Sequence, residues 1–561
     1  MKPKDMPRTL HIAEETSEGS INIALDTILL KKQAIVFVNT KKSAESLAEK
    51  IAVQFRKKKL IDEMATAKLS EDILHALDSP TKQCQRLSHI ALAGVAFHHS
   101  GLVAKQRDLI EEHFRKGIVK VIVATPTLAM GVDLPAYRVI IRDLKRFGNW
   151  GMQYIPVLEY EQQAGRAGRP SFDDHGEAIV IADSEPHKRE LIAQYLSGVP
   201  EAIVSKLAVE PIMRTAILSL IASAFVRTTY ELEQFFEKTF YAHEYGDMNR
   251  LRKIIRNMLE QLEEWGFILI EKKTAQDADS DFVSALKYAF AHDASSDRKL
   301  AATIVGRRVS ELYLDPYTAN FLVVHMQKAF SIASPAASIA QSAVAEKKVT
   351  PLSYTHLISS CLELRPLLRV KVAEVDRIIA FMNQHEEELL TPIAEPFSDE
   401  YDEFLSSLKT TQFFLEWLDE KDEEYLLEQF NVTPGELNSK RELADWLLYS
   451  SEELAKLLKM HPLVKDIAKL RFRLNYGVRE ELIPLLQLKG IGRMRARKLF
   501  NNRIKDIAAV KKVDLATLAQ IIGKAIALDI KKQVGQDLDP QHLEVKENKR
   551  KGQINLNDYD E

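Results

Sequence analysis

Two arginines, Arg166 and Arg169, stand in the segment Gln162-Gln163-Ala164-Gly165-Arg166-Ala167-Gly168-Arg169-Pro170, which reads Q-x-x-G-R-x-G-R. A guanidinium is permanently charged, planar and able to fork onto two phosphate oxygens. Beside glycines that let the backbone approach a ligand closely, such arginines suit the stabilisation of a phosphoryl group in transfer, where one of them can be worth about 10³–10⁵ in rate. The complementary part is missing: no G-x-x-x-x-G-K-[ST] phosphate loop occurs in the 561 residues, and the sequence is read as lacking a metal-binding acidic box as well. The chain reads as the arginine-bearing half of a nucleotide site. Its ATP- and Mg²⁺-holding half is expected on another chain or in residues missing from a fragment, so that the chain alone does not turn over ATP.

The elements that must position these residues follow from hydrophobic pattern. After a leading linker and helix (1–32), residues 33–200 alternate short β-branched runs with helical stretches: 34–38, 94–98, 119–124, 139–141 and 178–182. Buried strands separated by helices predict a doubly wound parallel sheet. Ligands bind such sheets at the carboxyl ends of the strands, where Asn39-Thr40, His99-Ser100-Gly101 and Thr125-Pro126-Thr127 lie. Thr40, Lys41 and Ser43 at a helix start, and Thr125 and Thr127 after a strand, offer hydroxyls, N–H groups and charge to a backbone phosphate; for Ser43 a plain helix N-cap is the alternative. His98 and His99, adjacent on a strand, face opposite ways and do not chelate as a pair.

Composition limits the rest. The charged fraction is 28% and the hydrophobic fraction 46%, those of a folded soluble chain. Two distant cysteines, Cys84 and Cys361, argue against a disulfide framework or zinc site and fit a reducing cytoplasm. The net charge of −3 hides a bipolar distribution. Residues 386–428 carry 15 acids and 2 bases, and residues 465–551 carry 21 bases and 10 acids. One face can attract a phosphate backbone while another repels it, or both can be plain solvated helical surfaces.

The motifs Phe37-Val38-Asn39-Thr40-Lys41-Lys42-Ser43-Ala44-Glu45, Phe97-His98-His99-Ser100-Gly101-Leu102, Ala124 to Ala136 and Gln162 to Pro170 occur in that order. Together they make residues 33–182 resemble the second RecA-like domain of Ski-two-like superfamily-two helicases. Over residues 20–560 the chain resembles the archaeal DNA-repair helicase group, whose relatives include the polymerase-theta helicase domain. The resemblance implies an ATP-dependent 3′–5′ DNA helicase lacking its first RecA-like domain, acting on forked or single-stranded DNA in repair or replication and associated with the nucleoid. It implies α/β plus mostly α architecture: a RecA-like domain (33–200), a winged helix (201–302), a helical ratchet domain (303–475), a helix-hairpin-helix (476–545) and a flexible tail (546–561).

The resemblance also assigns roles. Arg166 and Arg169 become fingers and Gln162 a link between nucleotide and nucleic acid, while Gly131 binds the nucleotide and Asp133 faces its ribose or the other motor domain. Many DNA-repair members carry Asn where Asp133 stands. Residues 142–155 suit a β-hairpin, which in the family wedges the duplex. Phe147, Trp150 and Tyr154 are its candidates to stack on the last base pair, at about 1–3 kcal/mol per base; packing onto their own domain is the alternative. Trp446 corresponds to a tryptophan that stacks on single-stranded DNA, with a core tryptophan as the alternative; Ser439 stands where the family often has arginine, and Lys440 or Arg441 are its substitutes.

In Leu488-Lys489-Gly490-Ile491-Gly492-Arg493-Met494-Arg495-Ala496-Arg497-Lys498, Gly490 and Gly492 expose N–H groups at a helix start, a ready phosphate site, and Arg493, Arg495 and Arg497 add charge. The tail 553–559 resembles a sliding-clamp-binding peptide missing an aromatic, which makes a clamp a further candidate partner. Two rival readings remain: an ATP-independent DNA-binding or annealing protein, and a fragment of an RNA helicase.

Overall fold

The computed structural model describes residues 11–77, 79–148, 151–169, 173–271, 297–333, 348–396 and 398–536. It divides into two units, Met1–Ile203 with Asp422–Ser439, and Val204–Lys421 with Lys440–Glu561.

The first unit is built on a parallel sheet of five strands: β1 (Ala34–Phe37), β2 (Val95–His98), β3 (Val121–Ala124), β4 (Arg138–Ile141) and, leaving the numbers β5 and β6 for a hairpin, β7 (Glu177–Val180). Their order is β2-β3-β1-β4-β7. Ile35 pairs with Ile122 and Val139, and Ala96 with Ile122. Every residue of the first four strands is buried. A parallel sheet covered on both faces requires this, which is why its strands read as unbroken apolar runs rather than alternating ones.

Helices α1 (Gly19–Leu29), α2 (Lys41–Lys57), α3 (Glu63–Leu74), α4 (Lys82–Ala91) and α5 (Ala104–Arg115) flank the sheet. Three begin at side-chain caps, Thr40, Asp62 and Thr81. Thus Thr40 rather than Ser43 is the N-cap of α2, and Ser43 supplies the capped N–H. The short α6 (Thr127–Gly131) follows β3. A hairpin of β5 (Lys145–Gly148) and β6 (Gly151–Tyr154) precedes α7 (Val157–Ala164), and α8 (Glu185–Leu191) follows β7.

The second unit opens with α9 (Glu210–Ala222), α10 (Thr229–Glu237), α11 (Phe240–Tyr245) and α12 (Met248–Glu264). After α12, Gly266 at φ 71° turns the chain into β8 (Ile268–Glu271), which pairs antiparallel with β9 (Lys299–Ala302). Helices α13 (Ile304–Glu311), α14 (Pro316–Ala333), α15 (Pro351–Ser359), α16 (Val375–Gln384) and α17 (Tyr401–Leu418) follow. Arg214 on α9 grips Asp315, just before α14, through two hydrogen bonds of 2.9 Å.

Next come α18 (Glu423–Phe430), α19 (Pro434–Leu457) and α20 (His461–Tyr476). Residues 478–530 then enclose a separate core around Leu485, Ala496, Leu499 and Leu518. It contains α21 (Ile483–Leu486), α22 (Arg493–Asn501), α23 (Ile507–Lys512), α24 (Leu515–Ile522) and α25 (Lys524–Gln533). Pro316, Pro351 and Pro434 are the first residues of helices, where a missing N–H costs nothing.

One helical block, 303–475, is expected from sequence, but Asp422–Ser439 packs with the first unit. Lys82 at the start of α4 engages Glu424 and Glu428 of α18, its backbone N–H reaching Glu424 Oε2 at 2.8 Å. No helix among the described residues is long and apolar enough to cross a membrane.

Candidate functional site

The arginine motif leaves α7 at Gly165. Residues 166–168 run beside Ala136: Arg166 O accepts from Ala136 N at 2.9 Å, and Gly168 N donates to Ala136 O at 2.7 Å. Gly168 has φ +94°, and a Cβ on Gly176 would lie 2.2 Å from Gly168 N. Both glycines are therefore needed to close the loop onto the sheet.

The two arginines then part. Arg166 is partly exposed and lies across Ala129 O near the end of α6, with NH1 3.4 Å from Asp133 Oδ1. The Asp133 carboxylate is almost fully exposed, so this pair is weak and exchangeable. Arg169 is bound within the fold: Nε and NH2 reach Asp173 at 2.7 and 3.2 Å, and NH1 reaches Gln33 Oε1 at 2.7 Å. The Asp173 side chain is fully enclosed and also receives Lys32 at 2.6 Å. The Arg169 hydrogen bonds, assisted by Lys32, outweigh burial and hold the Asp173 carboxyl at about 2. Gln33 passes the contact inward, donating to Phe114 O and Val119 O. Lys32, Gln33 and Asp173 are not evident in the sequence; the spacing of Arg169 and Asp173 is the one local signal, an i,i+4 ion pair.

Gln162 is exposed on α7 while Gln163 is buried. Gly131, at the end of α6, has open space where a Cβ would stand.

At the carboxyl ends of the strands, Thr125 Oγ1 lies 3.0 Å from Thr127 Oγ1, and Thr127 is exposed. Thr40 Oγ1 donates to Ser43 Oγ at 2.9 Å. Lys41 is partly exposed, and its ammonium is paired with Glu436. Asn39 ties this corner to the hairpin, donating to Lys145 O at 2.6 Å. His98 Nε2 meets Glu111 on α5 at 3.1 Å. His99 accepts from Gly101 N through Nδ1, leaving Nε2 3.3 Å from Glu45 Oε1 on α2. Burial would raise the Glu45 carboxyl, but His99, Gln83 and Arg86 hold it at about 2.

In the hairpin, Phe147 pairs across the strands with Met152 and both are largely exposed, Phe147 at 81%. Trp150 lies outside the described residues. Tyr154 sits at the base rather than the tip: its ring packs edge-on to Tyr195 and carries Lys145 Nζ 4.2 Å above it. It packs the hairpin onto its own domain, and Phe147 is the exposed candidate among the described residues.

In the second unit, Trp446 is half-buried on α19 and donates Nε1–H to Leu312 O at 3.1 Å, which fixes the ring edge. Lys440 and Arg441 reach the carbonyls of Pro366 and Asn475. Gly490 turns at φ +83° and Gly492 precedes α22 in extended geometry. Of the three arginines expected to face a phosphate, Arg495 bonds Gly490 O at 2.9 Å. Arg493 lies 4.4 Å over the Trp417 ring and reaches Lys421 O. Arg497 is held by Glu420 and Glu481, its Nε 2.7 Å from Glu420 Oε2. These side chains fix α22 against its own unit; Lys489 and Lys498 are the exposed cations of this turn. The letters D-E-x-D do occur, at 399–402 and 419–422, correcting the expectation that they are absent. They flank α17 rather than end a buried strand, and Glu420 is the Arg497 partner.

Three family models match the chain: the helicase conserved C-terminal domain over residues 58–171, a helix-turn-helix domain over 176–269, and archaeal helicase domain 4 over 352–477. Curated relatives align along most of its length. An ATP-dependent DNA helicase Hel308 of Methanocella arvoryzae is 35% identical over 546 residues, covering 96% of this chain and 68% of that protein. The same-named protein of Methanococcus vannielii is 34% identical, covering 92% and 68%. That of Pyrococcus abyssi is 34% identical, covering 95% and 67%.

Proposed function

This chain belongs to the Hel308 family of ATP-dependent DNA helicases, and on that footing we propose that it is the arginine-bearing, DNA-gripping part of a 3′–5′ translocating motor. The observation that carries the reading is Arg166: a guanidinium at the surface, seated on a carbonyl and a weak, exposed carboxylate that a phosphate would replace. The phosphate loop is supplied by a partner chain or by residues beyond these 561.

ATP supplies the driving energy when bound between the two halves. Arg166 presents positive charge to the transferring phosphoryl group, as fingers do. Arg169 acts through position, anchoring the loop that carries Arg166. Gln162, Gly131 and Asp133 line the nucleotide side; the space open beside Gly131 fits that role. No cluster of three His, Cys, Asp or Glu side chains among the described residues is placed to hold a cation, so the Mg²⁺ ligands are assigned to the other half.

DNA is the nucleic acid. Thr40, Lys41, Ser43, Thr125 and Thr127 hold its backbone, the five strands being read as a RecA-like sheet. Phe147, joined by Trp150 as the sequence suggests, separates the duplex, and Trp446 stacks on the released strand. Helices α9, α10 and α12 with β8 and β9 are read as a winged helix, and the Gly490–Gly492 turn as a helix-hairpin-helix backbone clamp. The work belongs to fork repair or replication at the nucleoid, with a sliding clamp as a further candidate partner.

Strand separation tests the reading. Mixed with a first-motor-domain protein and ATP, the chain should open forks bearing a 3′ single-stranded DNA arm. Opening only of 5′-armed forks, or of RNA but not DNA duplexes, contradicts it.

A further inference from the structure

The ion pair between Lys41 and Glu436 joins residues almost 400 apart in sequence, both in the first unit. Lys41 lies in the first turn of α2, beside the Thr40 and Ser43 hydroxyls. Glu436 lies in the first turn of α19, where Thr433-Pro434-Gly435-Glu436 forms a capping arrangement: Glu436 Oε2 accepts from Thr433 N at 3.0 Å and Thr433 Oγ1 at 2.7 Å. Its other oxygen, Oε1, takes Lys41.

The carboxylate is delivered there by a contact between two glycines. Gly435 N donates to Gly101 O at 3.0 Å. A Cβ on Gly435 would lie 2.4 Å from Ser100 O and 2.5 Å from Leu102 O, and one on Gly101 would lie 2.9 Å from Thr433 Oγ1. Backbone approach this close fixes the start of α19 on the loop after β2. Burial alone would raise the Glu436 carboxyl, but Lys41 and Thr433 bring it below the ordinary value, so it is ionised at neutral pH.

We propose that Glu436 gates the phosphate site at α2: its carboxylate occupies Lys41 in place of a nucleic-acid phosphate, and DNA must displace it before Lys41 joins the contact. The exchange is reversible because a displaced Glu436 keeps the Thr433 N–H and hydroxyl. The inference rests on reading Thr40, Lys41 and Ser43 as a DNA-backbone contact.

Binding of a fluorescent oligothymidylate by the full chain, followed by anisotropy at several salt concentrations, tests it. Glu436→Gln retains a residue that serves in a capping box, so the helix start persists. This variant should bind several-fold more tightly, with log affinity steeper in log salt by about 0.7, the release expected for one added single-strand phosphate contact. Lys41→Met in the Glu436→Gln background should abolish the gain. An unchanged affinity and slope in Glu436→Gln, or a gain that survives Lys41→Met, overturns the gate. Gly435→Ala, which shifts the helix start while keeping both charges, should reproduce the gain. Thr40→Val and Thr125→Val test the underlying reading separately. If they weaken binding while Glu436→Gln is inert, only the gate fails; if they bind like the parent, the DNA contact and the gate fail together.

Discussion

At the scale of single residues, the two motif arginines do different work. Removing Arg169 strips a fully enclosed carboxylate of its main partner and leaves Gln33 Oε1 unmatched. Lys32 still pairs with Asp173, so the loss stays below the roughly 3–5 kcal/mol of an uncompensated buried charge, but Arg169→Ala should still lower the urea midpoint of the first unit. Arg166→Ala loses the hydrogen bond to Ala129 O and a weak pair to an exposed carboxylate, and should cost less, about 0.5–1.5 kcal/mol. Equal midpoints for the two variants would contradict this division. The difference was not legible in the sequence. Q-x-x-G-R-x-G-R marks both arginines alike, and Lys32 and Gln33 lie more than 130 positions away, brought to Arg169 only by the order of the strands.

A second residue gives a pH signature. His356 is fully buried between α15 and α17, with Nε2 3.2 Å from Ser407 Oγ. Burial, joined by the nearby His325, lowers its imidazole from the ordinary 6.5 to about 4. The unfolded chain then binds a proton more readily than the folded one. The contribution of His356 is complete above pH 6.5 and is lost as pH falls toward 4, by about 3 kcal/mol at the limit. Urea unfolding at pH 7.5 and 4.5 should show that His356→Gln loses less stability on acidification than the parent; identical losses would refute the assignment.

At the scale of elements, the parallel strands were legible because burial on both faces leaves uninterrupted β-branched runs, and the hairpin because apolar residues flank its Gly-rich tip. The C-terminal module shows the limit. Its Gly-Ile-Gly turn is where the sequence indicates, yet Arg497 turns to Glu420, 77 residues away, and to Glu481, 16 residues away. The same module hides Lys531, which is 2% exposed. Its ammonium reaches Val510 O at 3.0 Å, Lys511 O at 3.1 Å, Val513 O and Gln536 Oε1, closing the carboxyl end of α23. Lys531→Met should orphan these acceptors and destabilise the module by about 2–4 kcal/mol. Hydrogen exchange should report it as lost protection in α23 to α25, with the strands of the first unit unaffected; retained protection would show that the carbonyls find other partners.

At the scale of the molecule, part of the acidic stretch seen in the sequence is taken up by ion pairs. Several acids of 386–428 pair internally: Glu424 and Glu428 with Lys82, and Glu420 with Arg497. Charge counts along a chain cannot anticipate such pairing, because it depends on which distant segments fold together. The motif order, by contrast, was enough to indicate the family, since four short segments keep their sequence spacing whatever the tertiary contacts. The proposed contribution of Arg166 to a nucleotide site completed elsewhere spans residue, element and molecule. It is tested most directly by single-stranded-DNA-stimulated ATP hydrolysis, measured for the purified chain alone, with an added first-motor-domain protein, and with Arg166→Ala in that mixture. Turnover is expected only in the mixture, with a fall of about 10³-fold or more in the variant. Turnover by the chain alone, or undiminished turnover with Arg166→Ala, would contradict it.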